Sequence, residues 1–313
     1  SAGLFSYAEE MLPPEAAAGR ETPPLFEVAL DAPEPGDLPL DRLVDFLANP
    51  ARALLKGRLN ISLESGAALM PVREPMALDA RGRRALERDA LAAQMSEEEA
   101  GFFVERSRLG GGLPSGTPGV LAAQRAWTEA VPVMAHLAPL LDGESGKPVA
   151  VETEVGGWRL NAVLENVGPK GQVLWSVDAL SPWVMLRAWC AHLLLNSDAS
   201  APSHHTHLVD VEGIVSFLPE EDAASTLHEL VGLYREGLCR PLPFFPRSAW
   251  AYVSAAKTPL ANAYRTWAGS EHASAVGESA DPFFALAFRD RLDTVLDSEF
   301  ESLASLVFGT PAQ

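Results

Sequence analysis

The alternation of apolar and polar positions is clearest between residues 148 and 218, where it lays out a sheet. Val149, Val151, Thr153 and Val155 fall at every second position, the period of a strand with one buried face. Gly156-Gly157 predicts a two-residue hairpin turn. Trp158, Leu160, Ala162 and Leu164 continue the alternation on the return strand. Pro169-Lys170-Gly171 turns the chain again, into Val173-Leu174-Trp175-Ser176-Val177. Ser181-Pro182 is a cap and first-turn pair, and the helix it opens sets Trp183, Leu186, Cys190 and Leu193 on one stripe. Val209 and Val211 before Glu212-Gly213, with Val215 and Phe217 after it, predict a further hairpin.

The flanks read differently. Residues 1–40 hold many prolines and acids with little periodicity, and predict an extended lead-in segment. Residues 41–145 read as helical, with Asp41 as a cap and Asn49-Pro50 ending one helix and starting the next. Gly110-Gly111-Gly112 and Gly116-Thr117-Pro118-Gly119 predict loops. The triple glycine lacks the Gly-Lys-Ser/Thr ending of a nucleotide-binding loop. Residues 219–313 read as helical again. Leu233, Tyr234 and Leu238 have helical spacing, and Gly237 lies near the helix end. Pro241, Pro243 and Pro246, with Phe244-Phe245 between them, predict a rigid extended strap, with a helix restarting near Ser248.

Helices, three strands, a helix and more strand is an α/β order, that of the restriction-endonuclease-like core and also a generic one. Working enzymes of that fold hold a divalent cation with an acid on the second strand and another on the third. A lysine follows two residues after the third-strand acid. Hard cations need several converging oxygens, so loss of one acid weakens such a site greatly. Glu165 is the candidate acid on the second strand. On the third, Trp175 and Val177 stand where acid and lysine are expected, with Ser176 between them. Lys170 is back in the turn and Asp178 is displaced towards the strand end, so the reading is a metal site overwritten by apolar residues.

Composition narrows the classes further. With 313 residues, 47% of them hydrophobic, the chain can bury one large core or two smaller ones. Its only cysteines, Cys190 and Cys239, argue against a disulfide framework and fit a reducing cytoplasm. No apolar run reaches the roughly 18 residues of a membrane span, and no signal peptide is visible. The start at Ser1-Ala2 reads as a domain excised from a longer polypeptide. The net charge of -18 disfavours a freestanding DNA binder. Two local basic clusters run against it: Arg52, Lys56 and Arg58, and Arg81, Arg83, Arg84 and Arg88. Each is either a solvated helix face or a phosphate-contacting one.

Other constellations are weaker. His205 and His207, within Ser203-His204-His205-Thr206-His207, would share a strand face as metal ligands, but no acid or cysteine at a familiar spacing completes the set. Cys190 and His192 are on different faces of a helix. Trp127, Trp183, Trp189, Trp250 and Trp267 read as core anchors on helical stripes before they read as base-stacking platforms.

The helix, strap and helix of Leu233 to Tyr252 resemble the C-terminal domain of the RecC family, the gamma subunit of bacterial exodeoxyribonuclease V. So do Leu4-Phe5-Ser6-Tyr7, the Asn-Pro-Ala-Arg and basic helix within Leu43 to Leu59, and the Glu-Pro, Leu-Asp and charged helix of Glu74 to Leu91. Leu113 to Gly119, Asp281-Pro282 and Leu296-Asp297 follow in the family's order. The resemblance implies a nuclease-like domain that has lost its catalytic residues, over residues 41–313, with a helical part to about 145, a sheet core to about 218 and helices beyond. It implies a cytoplasmic, non-catalytic DNA-handling scaffold without a cofactor, partnered by a RecB-like helicase-nuclease and a RecD-like helicase in double-strand break repair and homologous recombination. The alternatives are an active metal-dependent nuclease using Glu165 and Asp178, and a purely protein-binding module.

Overall fold

The computed structural model describes residues 23–63, 77–141, 146–270 and 275–309. Leu4 to Tyr7 and Glu74-Pro75 lie outside them. The chain first forms a short strand, β1 (Asp37–Pro39), which pairs in parallel with β3 (Trp158–Gly168), Leu38 beside Leu160. Both leucines are fully buried, so a segment without visible periodicity contributes to the sheet. Helix α1 (Leu40–Ala48) follows, with Leu40, Leu43, Val44 and Leu47 on its buried side, as the 3–4 spacing requires. Asp41 is not its cap. Pro39 holds that position, and Asp41 lies in the first turn, where it pairs with Arg187 at 2.5 Å. Asn49 does cap the next helix, α2 (Pro50–Arg52), accepting from the Arg52 backbone N–H at 2.8 Å. This helix runs on as a π-helical turn, Ala53–Arg58.

Helices α3 (Ala80–Met95), α4 (Ala100–Leu109) and α5 (Thr117–Leu141) form one layer. Asp79 caps α3 through the Gly82 N–H at 2.7 Å. The second predicted loop is instead the start of α5: Thr117 to Gly119 are its first turn. A side chain at Gly119 would meet the Pro114 carbonyl at 2.1 Å.

The main sheet is mixed. Strand β2 (Lys147–Val155) pairs antiparallel with β3 across the turn at Gly156 and Gly157, both with positive φ (57° and 82°). β3 pairs antiparallel with β4 (Gly171–Trp175). Helix α6 (Pro182–Asn196) then crosses over, so that β5 (Thr206–Val209) lies parallel to β4. β6 (Ile214–Phe217) closes the sheet antiparallel to β5. β4 stops at Trp175 and β5 at Val209, so Val177 and Val211 lie past the strands to which periodicity assigns them. Asn166 takes a positive φ of 56° beside a register shift, and this irregularity resets the alternation so that Val167 joins Leu164 on the buried side.

Adjacent residues on a strand face opposite ways, and Leu208 and Val209 accordingly belong to different cores. The larger core holds α1, α6, α7 (Ala223–Gly237), α8 (Pro246–Val253), α9 (Pro259–Ala268), α10 (Pro282–Ala287) and α11 (Ser298–Phe308). The smaller one sets Val173 and Val209 against α3, α4 and α5. A two-stranded ribbon, β7 (Gly269–Ser270) and β8 (Ala275–Val276), stands apart.

The strap between α7 and α8 is extended, and the helix restarts at Pro246, two residues before Ser248. Phe245 is fully buried against Trp267, Phe284 and Phe288, with ring centroids 4.2, 4.9 and 5.3 Å away. Glu278 caps α8 from a distance: its carboxylate accepts from the backbone N–H groups of Arg247 and Ser248 at 3.0 and 2.8 Å.

Candidate functional site

Glu165 lies exposed on β3, between buried Leu164 and Val167. Trp175 and Val177, the positions at which the sequence reading expects an acid and a lysine, are half-buried against the smaller core. Asp178 lies just beyond, 2.6 Å from the Arg84 guanidinium on α3. Both side chains are near half exposure, and such a pair contributes about 1 kcal/mol or less. Lys170 donates to the Pro139 carbonyl at the end of α5, at 2.8 Å. Among the described residues, no three His, Cys, Asp or Glu side chains converge in a way that would hold a metal ion.

The histidine run gives a similar result. His205 and His207 stack 6.3 Å apart, on either side of the residue that begins β5. His207 spends both ring nitrogens on the protein: Nδ1 on Ser216 Oγ at 2.8 Å and Nε2 on the Lys170 carbonyl at 3.1 Å. Cys190 is fully buried, and burial pushes its thiol up to about 12, which keeps it protonated and non-nucleophilic. Burial likewise lowers His192 to about 4. Its Nδ1 lies 3.0 Å from Thr206 Oγ1, and its ring stacks on Trp189 and Phe217, so it is a neutral core group.

A different region has the shape of a binding site. A groove of about 1000 Å³ runs between α1, the π-helical turn, the start of β3 and the ends of α6 and α7. Arg42, Arg52, Lys56 and Arg58 line it, together with Glu34, Asp37 and Asp45. Asp37 is bound by Arg159. Arg58 donates to the Asp31 carbonyl at 2.9 Å, and the Arg52 guanidinium lies 6.0 Å from the centre of the Phe283 ring. Trp158 lines the same groove. It is buried edge-to-face against Tyr234, and its indole N–H has no acceptor among the described residues.

Trp183 lines this groove and also a second hollow of about 660 Å³, which shares Ala48 and Asn49 with it. The expected core stripe holds for Leu186, Cys190 and Leu193, all fully buried, but fails for Trp183, which is 45% exposed. Trp158, Trp189 and Trp267 are core anchors, while Trp127 and Trp250 are half-buried. Pattern reasoning misses Arg42 and Trp158 at this groove. The one signal in the sequence is the crowding of cations into the α1–α2 segment.

The second basic cluster is not near the first. Arg81, Arg83, Arg84 and Arg88 are on α3, in the layer over the opposite sheet face. Arg83 is 3.6 Å from Glu87 and Arg84 is held by Asp178, while Arg88 donates to the Arg84 carbonyl at 3.3 Å.

The model of the RecC C-terminal domain matches residues 35–257, from just before β1 to just past α8. The chain belongs to the RecC C-terminal domain family. Among curated RecC proteins, it is similar to the RecBCD enzyme subunit RecC of Escherichia coli (strain K12), 28% identical over 251 residues, which are 79% of this chain and 22% of that protein. It is also similar to the RecBCD enzyme subunit RecC of Mycobacterium tuberculosis (strain CDC 1551 / Oshkosh), 27% identical over 257 residues, 77% of this chain and 23% of that protein. The chain thus spans less than a quarter of the length of these RecC relatives. The family match takes in the sheet, the groove-lining helices and the proline strap. Among the described residues, no helix is long and apolar enough to cross a membrane.

Proposed function

We infer that the chain is the C-terminal domain of a RecC-type subunit, with a restriction-endonuclease-like core that holds DNA and does not cut it. The observation that carries this reading is the state of the third-strand corner. Apolar packing takes up Trp175 and Val177, and the nearest acid, Asp178, is bound by Arg84. A divalent cation would have to displace that guanidinium and still lack a second convergent carboxylate. The order of helix α5, three antiparallel strands, a crossover helix and a parallel strand supports the nuclease-like lineage.

The relatives' names place RecC among the subunits of an enzyme, RecBCD. On this reading the domain works in the cytoplasm beside a RecB-like helicase-nuclease and a RecD-like helicase, in exodeoxyribonuclease V and double-strand break repair by homologous recombination. ATP hydrolysis and phosphodiester cleavage belong to the partners. Arg52, Lys56 and Arg58 are the first candidates for DNA contact, and Arg81, Arg83, Arg84 and Arg88 the second. The test is cleavage of forked DNA with magnesium by the assembled enzyme carrying Glu165→Ala and Asp178→Ala. Unchanged cutting is expected. Loss of a cut made by this chain would overturn the reading in favour of an active nuclease. The net charge of -18 favours a second reading, a protein-docking module, which requires that DNA binding by the complex ignore charge reversal at both clusters.

A further inference from the structure

We propose that the free edge of β6 is a docking site for an extended, apolar segment with basic flanks from another protein, which joins the sheet as one more strand. The inference goes beyond the DNA-holding reading and does not rest on it.

The sheet ends at β6, which pairs with β5 and with no other described strand. Antiparallel partners alternate between pairs that exchange backbone hydrogen bonds and pairs that do not. The Asp210 N–H donates to the Gly213 carbonyl at 3.0 Å, which fixes the phase: Val215 opposite Leu208, and Phe217 opposite Thr206, bond inward. β4 gives the same phase from the other side. The N–H groups of Gln172 and Ser176 donate to the carbonyls of His205 and Val209, so odd-numbered residues of β5 serve β4 and even-numbered ones serve β6. Ile214 and Ser216 therefore turn their N–H and C=O groups outward, where no described strand pairs with them. Successive side chains of a strand point to opposite faces. Ile214 is 44% exposed on one face, half-buried Val215 lies on the other, and Leu218, just past the strand, is 64% exposed. A strand laid along this edge gains main-chain bonds and apolar contact together.

The edge is also unguarded. Proteins commonly protect a free edge with lysine, proline or a bulge. β2, at the other side of the sheet, has Lys147, Pro148 and a register shift between Lys147 and Val149. β6 has none of these: it reads Ile-Val-Ser-Phe and pairs with β5 in unbroken register.

The surrounding charge selects the occupant. Between Arg187 and Arg235 the sequence holds no lysine or arginine. Glu212 precedes β6, and Glu220, Glu221 and Asp222 follow it, none of them in an ion pair among the described residues. A second copy of the chain, paired antiparallel here, would set these acids against each other. The fitting partner is apolar at its centre and carries lysine or arginine at its ends.

The test is a titration of the full chain with a labelled, capped peptide of about seven residues, valines at its centre and lysines at its ends. Fluorescence anisotropy reads binding, and amide-resolved hydrogen exchange reads its place. Saturable binding is expected, with exchange slowed at the Ile214 and Ser216 amides. Ile214→Pro removes an outward N–H without touching a bond to β5, and should weaken binding about tenfold or more. Ile214→Lys, which keeps every backbone bond and sets like charge against the peptide, should do the same, and it carries the test if Ile214→Pro disturbs the fold. Methylating the central amides of the peptide, or replacing its lysines with glutamates, should each abolish most of the affinity. Absence of binding, binding that survives both variants, or equal affinity for the methylated or the glutamate peptide would overturn the proposal. Dimerisation of the chain that Ile214→Lys abolishes would overturn it in favour of a second copy.

Discussion

The two basic clusters look alike in sequence and differ in what surrounds them. On α3 two of the four arginines meet acids: Arg83 lies by Glu87 of the same helix and Arg84 by Asp178 beyond β4. Of these pairs, Arg84–Asp178 joins α3 to the end of the sheet, over a packed apolar layer. Around the π-helical turn, Arg52, Lys56 and Arg58 line a groove with an exposed tryptophan at its edge, and Arg58 also donates to the Asp31 carbonyl. A count of positive charges does not separate a brace from a binding wall, but the shape beside them does. The sheet keeps the two apart, because its faces carry separate cores.

The largest expected effect lies in the cores. Phe245→Ala removes the ring at the centre of the aromatic cluster of the larger layer and should cost about 3–5 kcal/mol. The loss should appear as a lower midpoint in denaturant unfolding and as weaker oligonucleotide binding. Phe103→Ala, in the smaller layer, should lower the midpoint while leaving oligonucleotide affinity near its original value. If both variants lose binding alike, the layers are not independent supports.

Next in size is a pH effect confined to the larger layer. His192 is neutral in the fold because burial lowers it to about 4, whereas the unfolded chain takes up the proton near 6.5. Between those values the unfolded state binds more protons, so stability falls as pH drops from about 6.5 to 4, by roughly 3 kcal/mol in total. Unfolding curves across that range should show the fall, and His192→Gln should remove about that much of it.

The smallest effect addresses the clusters directly. Arg52→Glu with Lys56→Glu should weaken oligonucleotide binding and lower the slope of log affinity against log salt, by about 0.7 for each phosphate that is no longer neutralised. Arg81→Glu with Arg88→Glu should leave that slope unchanged. The reverse result would transfer the binding wall to α3.

Much of this fold is legible in the sequence where local rules decide. Gly156-Gly157 makes its hairpin because both residues take the positive φ that a tight turn needs. The proline strap is extended because three prolines leave it no helix. The failures have a common source in partners distant along the chain. Asp37–Pro39 carries no strand pattern, and becomes a strand because β3 offers it an edge. Trp183 shares a stripe with Leu186, but in the first turn of α6 it lines the groove, so the same periodicity buries one and exposes the other. The displacement of Asp178 towards the strand end is legible in the sequence. That Arg84 claims it depends on how α3 lies against the sheet, which no local pattern encodes.

Gly237 at the end of α7 carries one more implication. A methyl group there would lie 2.5 Å from the ring of Phe46 on α1, so the two helices touch where only a hydrogen stands between them. Phe46 and the neighbouring Tyr234 both line the groove, and their rings meet edge-to-face at 5.1 Å. Its floor is therefore a closed joint, unable to widen without breaking packed contacts. The width of the trough on that side is thus set by the fold itself, before any ligand arrives.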